Sequence, residues 1–287
     1  EQIRKRYVMS AAELFDFVKI DGSSEDTGRI SEACETLPML SEKRVVLVSD
    51  FDESSGRGDE VAEYLKDFPE SADTSYLLDA WEEAVYQNPL VIGVTSASIL
   101  DDGRTLAVEY DTEADVIKEK QKEITEEVKK VVGQIIKNDM TELEKEMAIN
   151  QYLCDTAEYD MEALENAEEN NFAGVDEEFN DSFTPYGVLL NQVGVCPSYA
   201  GAFKLLAQEA GLECIVVTGN LDGDLPHAWN KVKIDGEWQI VDSTNNDNEL
   251  ILNALLNLPD HAADKVLVED ERYALDPIVK EYKAQTD

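Results

Sequence analysis

Three residues in the second half of the 287-residue chain have types and spacing suited to acyl chemistry: Cys196, His227 and Asp242. Cys196 stands near the start of the run Gly194 to Gly211 (GVCPSYAGAFKLLAQEAG). Tyr199, Phe203, Leu206 and Ala210 recur three to four residues apart, which predicts a helix with one apolar face. Gly211 sits where a C-terminal glycine ends a helix. Pro197 suits the first helical position, where its missing N–H is no loss. That placement makes Cys196 the expected N-cap. A thiol there lies at the positive end of the helix dipole, which favours the thiolate, and the thiolate is the reactive nucleophile.

His227 and Asp242 come from the run HAWNKVKIDGEWQIVDST, His227 to Thr244. Asp235-Gly236 between two strand-like runs is a strong hairpin signal. A two-residue turn sets Ile234 opposite Glu237, and counting back sets Trp229 opposite Asp242 and His227 opposite Thr244. Side chains alternate with period two, so His227, Trp229 and Asp242 share a face. His227 and Asp242 are then diagonal neighbours, about 7–8 Å apart at Cα. A carboxylate at that range reaches an imidazole N–H, fixes the tautomer and leaves the other nitrogen for a thiol. A one-residue slip in the turn would separate them. The other histidine, His261, lies in a polar tail after Pro259 and is expected at the surface.

The blocks Gly-Val-Cys-x-Ser-Tyr-Ala, His-Ala-Trp-Asn and Gly-x-Trp-x-x-Val-Asp-x-Thr occur in this order, and over residues 185–247 they resemble the transglutaminase-like superfamily core. The resemblance implies an α+β, papain-like fold in which the helix carrying the cysteine packs on an antiparallel sheet. It implies Cys196 as nucleophile, His227 as general base and acid, and Asp242 as the group that orients the histidine. It also implies cysteine-dependent acyl transfer or hydrolysis at peptide or carboxamide bonds through a thioester, by a bacterial-type peptidase or acyltransferase acting on a protein or peptide. The alternative is a catalytically silent transglutaminase-fold binding or structural module of the cell envelope. An extracellular or cell-envelope setting follows from the resemblance; the chain, which begins at Glu1, shows no signal-peptide pattern. For the oxyanion, the backbone N–H of Cys196 is the natural first donor. Gln192 is the side-chain candidate, with Tyr186 and Asn191 behind it. Trp229 and Asn230 are expected to wall the site, Trp238 and Tyr199 to pack, and Cys214 to lie in the core of a strand over 213–218. The triad needs no cofactor and no metal. Animal relatives that cross-link use calcium, but the acidic run between Lys145 and Lys204, which has no Lys or Arg, lacks EF-hand spacing.

These residues need elements to hold them. Ala114–Lys137 reads as a long helix, and Thr141 with Glu144 forms a capping box for the next one. Ser75–Gln87 reads as an amphipathic helix. Val91–Ser98 and Thr105–Tyr110 read as strands around the turn formers at 101–103. Residues 1–72 form a small α/β segment, with helices over Ile30–Leu37 and Val61–Phe68, a strand over Arg44–Val48 and a loop over Asp50–Gly58. Residues 73–112 are the lead-in, and 113–287 the transglutaminase-like domain. Ala33 to Val48 (ACETLPMLSEKRVVLV) and Tyr64 to Pro69 (YLKDFP) resemble the N-terminal part of bacterial DNA polymerase III delta subunits. No phosphate-binding loop accompanies them, so this piece by itself carries no clamp-loader function and reads as a fused or truncated segment.

The whole chain has a net charge of −39. So acidic a surface neutralises no phosphates, which argues against nucleic acid and an anionic membrane as partners. It favours solubility, or an acidic rim selecting cationic or neutral substrates. No apolar run is long enough for a membrane span. The four cysteines, Cys34, Cys154, Cys196 and Cys214, form neither a CxxC pair nor a metal spacing.

Overall fold

The computed structural model describes residues 17–21, 45–49, 74–100, 105–110, 112–172, 174–223, 225–247 and 253–270. Contacts divide the chain into two compact units, residues 1–76 with 101–105, and residues 77–100 with 106–287. Most of the lead-in expected over 73–112 thus groups with the second unit.

In the first unit, β1 (Phe17–Asp21) pairs in parallel with β2 (Val45–Ser49), Phe17 opposite Val45. β2 is the strand expected over Arg44–Val48, shifted by one residue. The helices expected over 30–37 and 61–68, the loop over 50–58 and Cys34 lie outside the described residues.

The second unit begins within α1 (Thr74–Gln87), at Leu77. Gln87 is buried and bonds both backbone groups of Val216: its Nε2 donates to the carbonyl at 2.7 Å, and its Oε1 accepts from the N–H at 3.2 Å. An antiparallel pair follows, β3 (Val94–Ile99) and β4 (Leu106–Tyr110). β3 starts later than the apolar run Val91–Val94 predicts. The Val91 N–H is still bonded to the Asn88 carbonyl, and Gly93 has a φ of +76°, so the chain is turning there. The turn at 101–103 lies outside the described residues.

α2 (Ala114–Ile135) buries Ile124, Val128 and Val131, spaced along one face. α3 (Glu142–Thr156) opens with the expected capping box. The Thr141 N–H bonds the Glu144 carboxylate at 2.8 Å, and the Glu144 N–H bonds the Thr141 hydroxyl at 3.2 Å. Next come β5 (Glu158–Tyr159) and α4 (Met161–Glu169). A 3₁₀ turn over Glu177–Phe183 and a π-type turn over Gly187–Asn191 lead to β6 (Val193–Gly194), which pairs in parallel with β5.

α5 (Cys196–Glu209) is the central helix and is almost wholly buried. Its C-terminus closes as the glycine predicts. Gly211, at φ +82°, donates to the Gln208 carbonyl, and Leu212 donates to Ala207, the two bonds of a Schellman motif. α5 packs on a five-stranded antiparallel sheet ordered β10-β9-β8-β7-β11. These strands are β7 (Cys214–Leu221), β8 (Leu225–Ile234), β9 (Glu237–Val241), β10 (Leu256–Leu258) and β11 (Leu267–Glu269). Two short helices join them, α6 (Ser243–Asn246) and α7 (Asp260–Ala263). The main core gathers Ile124, Val128, Ile149, Leu153, Phe203, Leu206, Val232 and Val241 from α2, α3, α5 and the sheet. The molecule is therefore α+β, with the cysteine-bearing helix laid on an antiparallel sheet. No described helix is long and apolar enough to cross a membrane.

Candidate active site

The β8–β9 turn has the two-residue geometry that Asp235-Gly236 predicts. Both residues have positive φ, +51° and +87°, and Ile234 stands opposite Glu237. The register then runs unbroken to Asn230 opposite Val241. The expected facing of His227 and Thr244 is not reached, because the chain leaves the sheet at Asp242 and turns into α6 at Ser243. The exit brings the carboxylate in: Asp242 Oδ2 lies 2.8 Å from His227 Nε2, with both side chains buried.

With Nε2 committed to Asp242, Nδ1 is the nitrogen left for a thiol. Cys196, partly exposed at the start of α5, lies close enough for its sulfur to hydrogen-bond and charge-couple with the imidazole. Burial disfavours a charged His227. The Asp242 hydrogen bond and the Cys196 sulfur outweigh burial and raise the histidine's pKa from 6.5 to about 10. The imidazole is thus held as imidazolium at neutral pH. Trp229, expected at the wall, stacks on His227 with ring centroids 5.9 Å apart.

Cys196 is not the N-cap. Val195 holds that place in extended conformation, and its carbonyl takes the first helical bond, from the Tyr199 N–H. Cys196 is the first helical residue and Pro197 the second. The dipole reading of this position carries over with a one-residue shift.

The segment entering α5 is held on two sides. The Val195 N–H donates to the Ser182 carbonyl, and the Asp160 N–H to the Gly194 carbonyl. Ser198 Oγ donates to the Thr184 carbonyl and accepts from the Val188 N–H. Gly194 is needed for this fit, since a Cβ there would lie 2.7 Å from Ser198 Oγ.

Other expected residues lie elsewhere. Asn230 is buried, and its amide donates to the Ala200 and Ile215 carbonyls, not into the site; strand alternation sends it to the opposite side of β8 from His227 and Trp229. Gln192 ends the π-type turn in left-handed conformation, φ +61°, with an exposed side chain and its carbonyl bonded to the Glu158 N–H. The Tyr186 hydroxyl bonds Glu123 on α2 at 2.8 Å, away from Cys196. Asn191 is exposed. Tyr199 packs in the core, and its hydroxyl bonds Asp247. His261 is exposed. Trp238 is buried.

Two neighbours were not anticipated from the sequence. Tyr159, opposite Gly194 through the β5–β6 pairing, brings its hydroxyl to the backbone N–H of Cys196. Burial, and then the charge of Cys196, raise that hydroxyl above its ordinary range. Asn245, on α6, touches both Asp242 and His227. The TAEYD stretch at 156–160 and the three asparagines at 245, 246 and 248 were the available signals, and neither has a distinguishing spacing.

Two further cysteines are built for inertness. Cys154 and Cys214 are free, and burial pushes each thiol up to about 12. Among the described residues no cluster of His, Cys, Asp or Glu is arranged to hold a metal ion. A cavity of about 310 Å³, lined by Val85, Ile92, Lys120, Phe172 and Phe183, contains none of the triad residues. Here the chemistry of the side chains locates the site, and cavity size does not.

Residues 129–243 match the family model described as Transglutaminase-like superfamily. Residues 1–79 match that of DNA polymerase III, delta subunit. The chain is similar to the Kyphoscoliosis peptidases of Mus musculus and Homo sapiens, 30% identical to each over 125 residues. That alignment takes in 40% of this chain and 17% of each relative, so the chain spans about a sixth of their length. A solved structure of a TGase aligns with a TM-score of 0.40 at 17% identity, over 61% of this chain and 47% of the other. The stretch that matches the transglutaminase-like model, residues 129–243, contains Cys196, His227 and Asp242.

Proposed function

We propose that this protein catalyses cysteine-dependent acyl transfer or hydrolysis at peptide or carboxamide bonds of a protein substrate. The observation that carries the reading is the 2.8 Å contact of His227 Nε2 with Asp242, with the Cys196 sulfur coupled to the same imidazole. The Cys196 thiolate attacks the carbonyl carbon and a C–S bond forms. Negative charge moves to the carbonyl oxygen, which the Cys196 backbone N–H is placed to receive at the start of α5. In this structure that N–H meets the Tyr159 hydroxyl, so an arriving carbonyl oxygen takes that hydroxyl's place or shares the donor with it. Gln192 is the proposed further donor, from its exposed position at the end of the π-type turn.

The C–N bond then breaks, and the His227 imidazolium gives its proton to the departing ammonia or amine. A thioester remains on Cys196. Water or an amine attacks it, neutral His227 takes the incoming proton, the C–S bond breaks and the thiolate–imidazolium pair is restored. The two outcomes share every step up to deacylation, so water access at the thioester chooses between them, and hydrolysis is the outcome proposed for a bacterial-type member. Asp242 holds the imidazole orientation throughout.

The test is a broad panel of glutamine-containing peptides, with and without a primary amine, read by ammonia release and product mass. The unaltered protein is expected to convert at least one peptide. Cys196→Ala should lower turnover by about 10³-fold or more while the protein stays folded. Turnover that survives Cys196→Ala would contradict the reading.

A further inference from the structure

We infer that Asn245 is a positioning residue of this site, gripping both oxygens of Asp242 and so fixing which nitrogen of His227 faces Cys196. The inference rests on the cysteine-enzyme reading above and adds a fourth side chain to it.

Asp242 sits at the N-cap of α6, and the Asn245 backbone N–H donates to its Oδ1 at 3.2 Å. Any residue at 245 could give that capping bond. The side chain adds a second one: Nδ2 donates to Oδ2 at 2.6 Å. One bond leaves a carboxylate free to turn about its Cβ–Cγ axis. Two bonds from one residue, one to each oxygen, fix its plane.

The oxygen that Nδ2 holds is the same Oδ2 that lies 2.8 Å from His227 Nε2. Nδ2 also lies 3.2 Å from Nε2. Its amide has donors and no acceptor to offer there, because a carbonyl turned that way would confront Oδ2. The acceptor for an Nε2 proton is therefore Asp242 Oδ2 alone, and its direction is set by Asn245. Nε2 keeps its proton and Nδ1 serves the thiol. The other titratable groups around the pair are Cys196 on α5, Tyr159 on β5, Cys154 on α3 and Asp247 after α6. Of these, Cys154 donates to the Ser243 carbonyl and Asp247 accepts from the Tyr199 hydroxyl.

The neighbouring Asn246 shows what a structural asparagine does on the same short helix. It is buried, its Nδ2 donates to Asn150 Oδ1 at 3.0 Å and to the Leu255 carbonyl at 3.1 Å, and its Oδ1 accepts from the Leu255 N–H. Those bonds staple α6 to α3 and to the segment before β10. Asn245 makes no such tie and is half-buried, so its side chain is not needed for the core.

The experiment measures the rate of Cys196 alkylation by iodoacetamide across pH, by mass spectrometry, alongside the imidazole ¹⁵N shifts of His227. Asn245→Ala is expected to melt within a few degrees of the unaltered protein. It should label Cys196 about tenfold more slowly at neutral pH, because the imidazole is no longer held in line. The acid-side midpoint should move to higher pH, and above the pH at which His227 loses its charge the ¹⁵N shifts should move toward a tautomer mixture. Asn245→Ser, too short to reach Oδ2, should do the same and covers a failure of Asn245→Ala to fold. Asn246→Ala should lower the melting temperature without moving the midpoint. Labelling within about twofold, with an unmoved midpoint and unchanged shifts in the Asn245 variants, would overturn the inference. If the unaltered protein itself fails to label Cys196 ahead of Cys154 and Cys214, the site reading fails instead, and the two failures are distinct.

Discussion

His227 on β8 and Glu146 on α3 both hold a proton beyond their ordinary range, for opposite physical reasons. His227 is held charged: a buried carboxylate 2.8 Å away and a neighbouring sulfur outweigh the cost of burial. Glu146 is held neutral. It is fully buried, neither carboxyl oxygen has a hydrogen-bond partner among the described residues, and burial alone raises its pKa to about 8. An ionised carboxylate in such a place would be an uncompensated buried charge. The contrast teaches that burial by itself does not make a reactive group. A partner at hydrogen-bond distance converts burial into a poised charge, and the absence of one leaves a group that only affects stability.

The largest effect that can break this contrast comes from Asp242→Asn. Losing the carboxylate removes the main cause opposing burial at His227, so its titration should fall well below about 10. With two histidines in the chain, two-dimensional imidazole NMR separates them. Turnover and Cys196 alkylation should drop by about 10²- to 10⁴-fold, as expected when a triad loses its orienting carboxylate. An unmoved His227 titration would mean that Asp242 does not set it.

A smaller and purely structural effect is expected at Glu146. An acid with a folded-state pKa near 8 and an ordinary value of 4.5 binds its proton more tightly in the folded chain. Its contribution to stability is complete below about pH 4.5, declines as pH rises and levels off above about 8. Glu146→Gln should remove that decline, a difference of several kcal/mol at pH 9 and little at pH 4. Denaturant unfolding at the two pH values measures it, and Cys196 reactivity should be unchanged. Equal slopes in the two proteins would show that Glu146 has a partner in solution.

Much of this was readable from residue order, and the parts that were not have identifiable causes. The β8–β9 register followed from Asp235-Gly236, because a two-residue turn with positive φ at both positions allows one alignment. The capping box at Thr141 and the Schellman end at Gly211 were local enough to read directly. The start of α5 was misplaced by one residue, since proline is tolerated at either of the first two helical positions and nothing in the sequence separates them. Asn230 was placed at the wall by adjacency to Trp229, although strand alternation sends neighbours to opposite faces. Tyr159 and Asn245 escaped notice because they arrive through a two-residue parallel pairing and a four-residue helix. Neither element is long enough to leave a periodic pattern. β11, three residues long, lies in the stretch read as a polar tail after Pro259 for the same reason.

The central claim is that pairing with His227 and Asp242 singles out Cys196 among the described cysteines. It is tested most directly by limiting iodoacetamide at about pH 7 in the folded protein, with each cysteine-containing peptide counted by mass spectrometry. Cys196 should carry far more label than Cys154 and Cys214, because burial pushes both of those thiols up to about 12. Comparable labelling of all three, or labelling of Cys196 that Asp242→Asn leaves unchanged, would contradict the account.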